Sequence, residues 1–253
     1  MVGAILGGLL VVLVVGPLAR LLWEAPPGTI AEAALDPEVR DAVWLTVLTA
    51  SAATFIAVVL GIPLGYLLAR ARFPGSRFLS GLLDLPVVIP HPVAGIALML
   101  FLGRHSTIGG ALANFGLEIV NHVPGIVAAM LFVSAPLVVS GAREAFASVD
   151  PKLERVARTL GDSPWGAFRR ISLPLATRGI LAGALLAWGR SVSEFGAIVV
   201  LTYHPRVASV LIYDRFTLSG LPAAVPAAAL LLLVALGVFL LIRVLGPAER
   251  TRR

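Results

Sequence analysis

The chain contains no cysteine and only one lysine, Lys152, among its 253 residues. The absence of cysteine excludes disulfide bonds, thiolate catalysis and metal sites built on cysteine ligands. A Walker A loop for nucleotide binding needs lysine between glycine and serine or threonine, but Lys152 lies between Pro151 and Leu153. The chain therefore has no P-loop with which to bind ATP.

Charged residues are also scarce, at 13% of the chain, and the four histidines are scattered at no metal-ligand or catalytic-triad spacing. The net charge of +6 alone would be compatible with nucleic-acid binding, but the arginines cluster at the ends of apolar runs without interleaved aromatic residues. We therefore expect no catalytic residue, no metal or cofactor held by this chain, and no nucleic-acid partner. The histidines are His91, His105, His122 and His204.

Hydrophobic residues make up 58% of the sequence, which is typical of an integral membrane protein. Six apolar runs are long enough to cross a bilayer as helices. We predict an all-α integral membrane fold with six transmembrane helices, in which residues 1–253 form a single transmembrane domain. The first run has no basic leader and no cleavage site, so we expect a retained helix. The predicted spans are residues 2–22, 43–69, 78–102, 123–140, 179–201 and 223–245.

The basic residues predict the orientation of these spans. Cytoplasmic connections carry an excess of arginine and lysine, and most basic residues of this chain fall on one side of the predicted spans. We therefore predict a multi-pass protein of the plasma membrane with both termini in the cytoplasm and with outer connections at 23–42, 103–122 and 202–222. The basic residues on the inner side are Arg70, Arg72, Arg77, Arg143, Lys152, Arg155, Arg158, Arg169, Arg170, Arg178, Arg243, Arg250, Arg252 and Arg253.

The third apolar run is interrupted by prolines. Pro86 and Pro90 each remove a backbone hydrogen bond and clash with the preceding helical turn, so residues 85–92 must be kinked or unwound. Irregular backbone at membrane depth is tolerated against protein or beside a water-filled cavity. Pro86, Pro90 and His91 are therefore candidates for the lining of a path through the membrane, and the alternative is a kink packed against neighbouring helices.

The fifth run contains two ionisable residues, Arg190 and Glu194, four positions apart on one helix face. Charges inside a span are costly and are by default hypotheses of function. The pair is either a gate on the path or a neutralised structural brace. Small polar residues nearby in the predicted spans are further candidates for lining the path, namely Ser134, Ser191 and Ser193.

The longest polar interruption, residues 150–174, predicts two short amphipathic helices joined at Gly161. Asp150 and Pro151 form a helix start, Gly161 a helix stop, and Ser163 with Pro164 a second start. We expect the second helix to end at Leu173–Pro174 and to expose aromatic residues and arginines. Such a surface suits another protein, and the alternative is a structured loop that covers its own helix ends. The apolar edge of the second helix consists of Trp165, Phe168 and Ile171.

This segment resembles the EAA loop of ABC-transporter permeases, whose pattern is E-A-A, three residues, G, nine residues, I, one residue, L-P. The matching residues are Ala157, Gly161, Ile171, Leu173 and Pro174, whereas Arg155 and Val156 replace the first two family positions. The resemblance implies a cytoplasmic coupling helix, within residues 143–178, that docks in a cleft of a separate ATP-hydrolysing subunit. The residues implied for docking are Leu160, Gly161, Asp162, Ser163, Pro164, Trp165, Phe168 and Arg169.

Two further segments are similar to permeases that import tetrahedral oxyanions. Residues 190–197, R-S-V-S-E-F-G-A, resemble a segment of molybdate, tungstate, sulfate and thiosulfate permeases, and residues 84–95 resemble the third span of archaeal-type molybdate/tungstate permeases. The resemblance covers residues 40–245, with the first helix preceding this core. It implies alternating access and import of an oxyanion, most closely molybdate or tungstate, with sulfate or thiosulfate as the alternative.

The partners implied by the resemblance are a second copy of this chain, a dimer of ATPase subunits that bind ATP and Mg²⁺, an extracytoplasmic oxyanion-binding protein, and the lipid bilayer. The chain itself would be a transport subunit rather than an enzyme. A secondary transporter driven by an ion gradient is the rival from another class, but it would carry more intramembrane acids and inverted repeats, and it would have no use for a docking helix.

Overall fold

The structure is a computed structural model that describes residues 2–71 and 73–245. The predictions about Arg72, Arg250, Arg252 and Arg253 lie outside the described residues, as does the side chain of Arg243. Within the described ranges the chain is helical apart from short connections, and these ranges contain no β-strand. The predicted all-α fold is confirmed.

The described residues form thirteen α-helices and one π-helical turn. In chain order these are α1 (Val2–Glu24), α2 (Pro27–Leu35), α3 (Pro37–Arg70), α4 (Ser76–Val88), α5 (His91–Leu102), α6 (Thr107–Asn114), α7 (Val123–Ala147), α8 (Pro151–Thr159), α9 (Pro164–Ala167), the π-turn (Phe168–Ser172), α10 (Leu173–Val192), α11 (Gly196–Leu201), α12 (Ala208–Ser219) and α13 (Leu221–Leu245).

Five helical stretches in the described part of the chain are long and apolar enough to cross a membrane, and a bent pair, α4 with α5, brings the number to as many as six. The chain bends by 113° between the two helices of this pair. The prediction of six crossings therefore stays a prediction, because it counts the bent pair as one. The five stretches are Ala4–Glu24, Pro37–Arg70, Val123–Ala147, Pro164–Val192 and Leu221–Ile242.

The predicted interruption of the third apolar run is present at Ile89 and Pro90. Ile89 has φ −71° and ψ 145°, which is the extended conformation that a following proline imposes on the residue before it. Pro90 then precedes the first residue of α5, where its own missing N–H leaves no gap in a hydrogen-bond ladder. Pro86 lies inside α4, so the backbone breaks at the second of these two prolines.

The fifth predicted span is not one continuous helix. Residues 193–195 separate α10 from α11, so the prediction of an unbroken helix over 179–201 is wrong. The carboxylate of Glu194 explains the break, since its Oε1 accepts a hydrogen bond of 2.8 Å from the N–H of Ala197 at the start of α11. A helix start has N–H groups without a helical partner, and Glu194 satisfies one of them.

The helix that begins at Pro164 does not end at Leu173–Pro174, as predicted, but continues into α10. The π-turn makes this possible, because the N–H of Leu173 bonds to the carbonyl of Phe168, five residues back. In a π-turn each backbone hydrogen bond spans five residues instead of the four of an α-helix, which widens the turn. The wider turn accommodates Pro174, which has no N–H and would clash with a regular preceding turn.

The predicted outer connections contain helices. The connection at 23–42 holds α2 and the start of α3, that at 103–122 holds α6, and that at 202–222 holds α12. The start of α12 is fixed from outside its own sequence, because the N–H of Ala208 donates to Oγ1 of Thr46 at 2.8 Å. Local sequence does not reveal a cap contributed by a residue so distant in the chain.

The chain divides into two compact units. The first comprises Met1–Thr46 and Arg206–Gly237, and its core contains Val39 and Leu211. In this unit Arg215 contacts Asp36 at 2.6 Å and Glu38 at 3.2 Å, which joins α12 to the start of α3. These contacts account for the helix that sequence periodicity missed.

The second unit comprises Val47–Pro205 and Val238–Arg253. One of its cores surrounds Phe146 of α7 and Phe168 of the π-turn, with Tyr66 of α3 packed against them. Small residues bring α7 close to α10, since a Cβ at Gly183 would lie 3.1 Å from the carbonyl oxygen of Leu137. Both segments with predicted functional residues lie in this second unit.

Candidate functional site

The two helix breaks of the second unit meet at a cluster of His91, Arg190 and Glu194. Nη2 of Arg190 contacts Oε2 of Glu194 at 2.7 Å and donates to Nε2 of His91 at 2.6 Å. An imidazole that accepts at Nε2 carries its proton on Nδ1 when neutral, and this Nδ1 lies 3.6 Å from the Glu194 carboxylate. The cluster therefore joins the start of α5 to the break between α10 and α11.

Close backbone packing holds the same two segments together. A Cβ at Gly95 in α5 would lie 2.8 Å from the carbonyl oxygen of Ala197, and a Cβ at Gly196 would lie 2.7 Å from Cβ of His91. Real Cβ atoms do not approach so closely, so only glycine fits at these two positions without a shift of the neighbouring atoms. The short helices α5 and α11 thus form one packed element beside the cluster.

The cluster is buried on one side and open on the other. The side chain of Glu194 is 0% exposed, whereas those of Arg190 and His91 are 24% and 41% exposed. A carboxylate so deeply buried requires a cationic partner, and Arg190 supplies it. Ser193 lies at the exposed edge, where its hydroxyl donates to the backbone carbonyl of Arg190 at 3.0 Å.

The structure thus brings together four of the predicted path residues, His91, Arg190, Ser193 and Glu194, with Pro90 adjacent in the chain. Pro86 is half-buried inside α4. Ser134 in α7 and Ser191 in α10 are fully buried, and the Oγ atoms of both have no hydrogen-bond partner among the described residues. No group of three side chains suited to holding a metal ion occurs in the described ranges.

The predicted docking segment has the expected helix–Gly–helix form. Oδ1 of Asp150 accepts from the N–H of Lys152 at 2.8 Å, and Oγ of Ser163 accepts from the N–H of Gly166 at 3.0 Å. Gly161 has φ +98°, a backbone conformation that suits glycine and ends α8. The sequence pattern therefore specified both starts and the intervening stop correctly.

One face of this segment presents apolar side chains that the described chain leaves exposed. We define the docking surface as Leu153, Val156, Leu160 and Trp165, which are 46%, 55%, 83% and 67% exposed. Arg169 is also exposed, and Asp162 is held by Arg170 at 3.1 Å. The predicted docking role of Leu160, Trp165 and Arg169, and of Gly161, Asp162, Ser163 and Pro164, stays a prediction; Leu153 and Val156 are exposed beside them in α8.

The expectation that Phe168 is exposed is wrong. Phe168 is 9% exposed and lies in edge contact with Tyr66, with ring centroids 4.8 Å apart, and 5.8 Å from the ring of Phe146. The π-turn directs it into the chain, where Trp165 stacks on its outer side at 5.2 Å. Of the remaining EAA-pattern positions, Ala157, Ile171 and Leu173 are half-buried and Pro174 is exposed.

Sequence reasoning missed Glu154, which is the residue that fixes the docking segment to its surroundings. Its carboxylate accepts hydrogen bonds from Tyr66 and Arg70 of α3 and from Ser172 of the π-turn. Desolvation raises the pKa of Glu154, but the hydrogen bonds from Ser172, Tyr66 and Arg70 outweigh it and hold the pKa below its ordinary value of 4.5. Only the proximity of Glu154 to the EAA pattern could have drawn attention to it.

A family model described as the inner membrane component of binding-protein-dependent transport systems matches residues 61–251, which is most of the chain. The matched range includes the docking segment and both helix breaks. This chain is a member of that family. It is therefore a multi-pass membrane component of a transport system, and the resemblance to ABC importer permeases is confirmed.

Several relatives of this permease carry names that state a substrate. It is 42% identical over 242 residues to the "Molybdate/tungstate transport system permease protein WtpB" of Thermococcus kodakarensis, covering 95% of this chain and 93% of the relative. The protein of the same name from Pyrococcus abyssi is 43% identical over 85% of this chain and 82% of its own length. The "Sulfate transport system permease protein CysW" of Escherichia coli K12 is 37% identical over 66% of this chain and 57% of its own length.

Solved structures with the same fold include a bacterial ABC transporter involved in the import of the acidic polysaccharide alginate. The TM-score is 0.74 at 18% sequence identity, and the match covers 99% of this permease and 95% of that chain. The inward-facing MetNI methionine ABC transporter matches with a TM-score of 0.62 at 19% identity, over 81% of this permease and 91% of that chain. At these identities the likeness establishes the fold.

Proposed function

We propose that this permease forms the membrane path of an ATP-driven importer for molybdate or tungstate. The observation that carries the proposal is the identity of 42% with a molybdate/tungstate permease over 95% of the chain, against 37% over 66% for a sulfate permease. An importer of this kind moves the oxyanion from an extracytoplasmic binding protein to the cytoplasm. The chain supplies the path and no ATP site.

The complex would contain a second copy of the chain and two ATPase subunits, which bind ATP and Mg²⁺ and dock at the surface formed by Leu153, Val156, Leu160 and Trp165. Four exposed apolar side chains beside Arg169 on a polar segment support a protein partner, because such groups gain free energy when a partner removes them from water. This assembly requires the docking segment, and with it both termini, on the cytoplasmic side.

The gate is proposed at the two helix breaks, where His91, Arg190 and Glu194 meet. A lone guanidinium would hold a divalent oxyanion too tightly for release, since conduction requires binding weak enough to let the ion leave. The pairing of Arg190 with Glu194 at 2.7 Å neutralises most of that attraction while leaving the exposed edge with His91 and Ser193 available for transient hydrogen bonds. Alternating access then consists of the two breaks opening toward one side of the membrane at a time.

The test is transport by the reconstituted complex. The permease is co-expressed with its ATPase and inserted into liposomes with the binding protein on the outer face, and ATP-dependent uptake of radiolabelled molybdate and tungstate is measured. We expect uptake of both anions, with competition by sulfate only at large excess. Uptake of sulfate in preference to both would overturn the substrate, and uptake driven by an ion gradient without ATP would overturn the class of transporter.

A further inference from the structure

The carboxylate of Glu154 joins three segments of the chain. Its Oε2 accepts from the hydroxyl of Tyr66 at 2.8 Å, and its Oε1 accepts from Nε of Arg70 at 2.9 Å and from Oγ of Ser172. Tyr66 and Arg70 lie at the end of α3, whereas Ser172 is the last residue of the π-turn that leads into α10. One side chain of α8 is thereby bonded to the ends of two membrane-spanning helices.

Glu154 lies on the face of α8 that is turned away from the docking surface. Its side chain is 15% exposed, as is that of Arg70, whereas its neighbours Leu153 and Arg155 are exposed. Arg70 makes a further bond, from Nη2 to the carbonyl of Val149 at 3.0 Å, just before α8 begins. The docking helix is thus held at its first turns from the side opposite to the docking surface.

The surroundings of this contact are closely packed. The ring of Tyr66 lies in edge contact with Phe146 of α7, at 5.2 Å between centroids, and with Phe168 of the π-turn, at 4.8 Å. Ser172 is fully buried. Because hydrogen bonds to an ionised carboxylate are stronger than those between neutral groups, the Glu154 contact resists separation of α8 from α3 more than apolar packing alone would.

We propose that Glu154 is a positioning residue that makes the docking helix move together with the cytoplasmic ends of α3 and α10. The inference rests on the proposed function, in which an ATPase displaces the docking surface. A displacement applied at Leu160 of the docking helix would pass through Glu154 into the end of α3 and, through Ser172, into the start of α10. Without the carboxylate, the ATPase would displace the docking helix without displacing α3 to the same extent, and ATP would be hydrolysed without transport.

The first test compares Glu154→Gln with Glu144→Gln in the reconstituted complex. Glu144, at the end of α7, is an exposed acid of the same cytoplasmic region, so its substitution controls for the loss of one negative charge. We expect Glu154→Gln to retain ATPase binding and ATP hydrolysis but to lower the number of molybdate ions moved per ATP, because glutamine loses the charge that strengthens the hydrogen bonds from Tyr66, Arg70 and Ser172. Glu144→Gln should leave this ratio unchanged.

The second test measures movement directly. The chain has no cysteine, so spin labels can be attached through Arg158→Cys in α8 and Leu67→Cys in α3, both exposed positions. We expect the distance between these labels to be the same with and without ATP in the otherwise unchanged complex, and to broaden with ATP when Glu154→Gln is added. A purely structural role for Glu154 would not make this broadening depend on nucleotide.

The outcomes separate this inference from the proposed function. If the unmodified complex transports molybdate but its label distance changes with ATP, or if Glu154→Gln leaves the transport ratio intact, the inference is wrong and the proposed function stands. If the unmodified complex moves no oxyanion, the proposed function fails. Should Glu154→Gln not assemble, Ser172→Ala and Tyr66→Phe each remove one donor to the carboxylate, and the same loss of transport per ATP is expected from them.

Discussion

Replacing Arg190 by methionine should destabilise the permease more than replacing Glu194 by glutamine. The two side chains form one ion pair, with 2.7 Å between Nη2 and Oε2. They differ in what the substitution leaves behind. Arg190→Met removes the guanidinium partner of a carboxylate that is 0% exposed, whereas Glu194→Gln leaves a guanidinium that is 24% exposed and still donates to His91.

The magnitude follows from this asymmetry. Loss of one partner from a buried ion pair costs about 3–5 kcal/mol, because the remaining charge stays in a medium of low polarity. We expect Arg190→Met to approach that range. Glutamine keeps an oxygen that can accept from the N–H of Ala197, so Glu194→Gln should lose about 1.5–3 kcal/mol, the range for a hydrogen bond to a charged group. The double variant should recover part of the loss of Arg190→Met, since it buries no charge.

Thermal unfolding of the reconstituted complex in lipid nanodiscs, followed by tryptophan fluorescence, measures these differences. Trp188 is a suitable reporter in α10, since it is 5% exposed and its indole N–H donates to Ser51 at 3.2 Å. The expected order of melting temperature is the unmodified protein, then Glu194→Gln, then Arg190→Met, with the double variant above Arg190→Met. Equal or reversed melting temperatures for the two single variants would refute the reasoning from burial.

Three further predictions follow from exposure, packing and charge. Trp165→Ala should abolish co-purification of the ATPase with little change in melting temperature, because Trp165 is exposed. Phe168→Ala should instead lower the stability of the permease by about 3–5 kcal/mol, because it leaves a cavity at a buried site. Equal effects of the two substitutions on stability would contradict this. Gly95→Val should cost about 1–3 kcal/mol or more, since its Cβ would lie 2.8 Å from the carbonyl oxygen of Ala197, and thermal unfolding would reveal it. The pKa of Glu154 is held below 4.5 in the folded chain, so the stability that its ionised form contributes is present above pH 4.5 and is lost as the pH falls through the folded pKa. Lowering the pH from about 5 to about 3 should therefore lower the melting temperature of the unmodified protein more than that of Glu154→Gln.

The features that the sequence predicted well are those with a local physical cause. Pro90 forces the residue before it into an extended conformation, so the break after α4 could be read from the chain. Asp150 and Ser163 cap helices that begin within three residues of them, and Gly161 accepts a positive φ at low cost. The resemblance to the permease family rests on such local spacings, namely the positions of Ala157, Gly161, Ile171, Leu173 and Pro174.

The features that were missed depend on residues distant in the chain. The π-turn at Phe168–Ser172 places Phe168 against Tyr66, about a hundred positions earlier in the chain. The pattern of apolar residues does not predict that the helix continues past Pro174. The cap that starts α12 comes from Thr46. Helical propensity at such sites is a weak signal, and contacts made after folding override it.

The amino-acid sequence alone determined that this protein lies in a membrane and that it has no nucleotide-binding loop. It placed the ends of the first, third and last apolar spans to within a few residues, but it misplaced those of the fifth. Hydropathy, helix capping and proline geometry are properties of neighbouring residues, so they can be read without a fold. Only the tertiary structure decided that His91 joins Arg190 and Glu194, and that Glu154 reaches Tyr66, Arg70 and Ser172. The physical reason is that a buried charge takes whichever partner the packed helices bring within hydrogen-bond distance, and sequence separation places no limit on that choice.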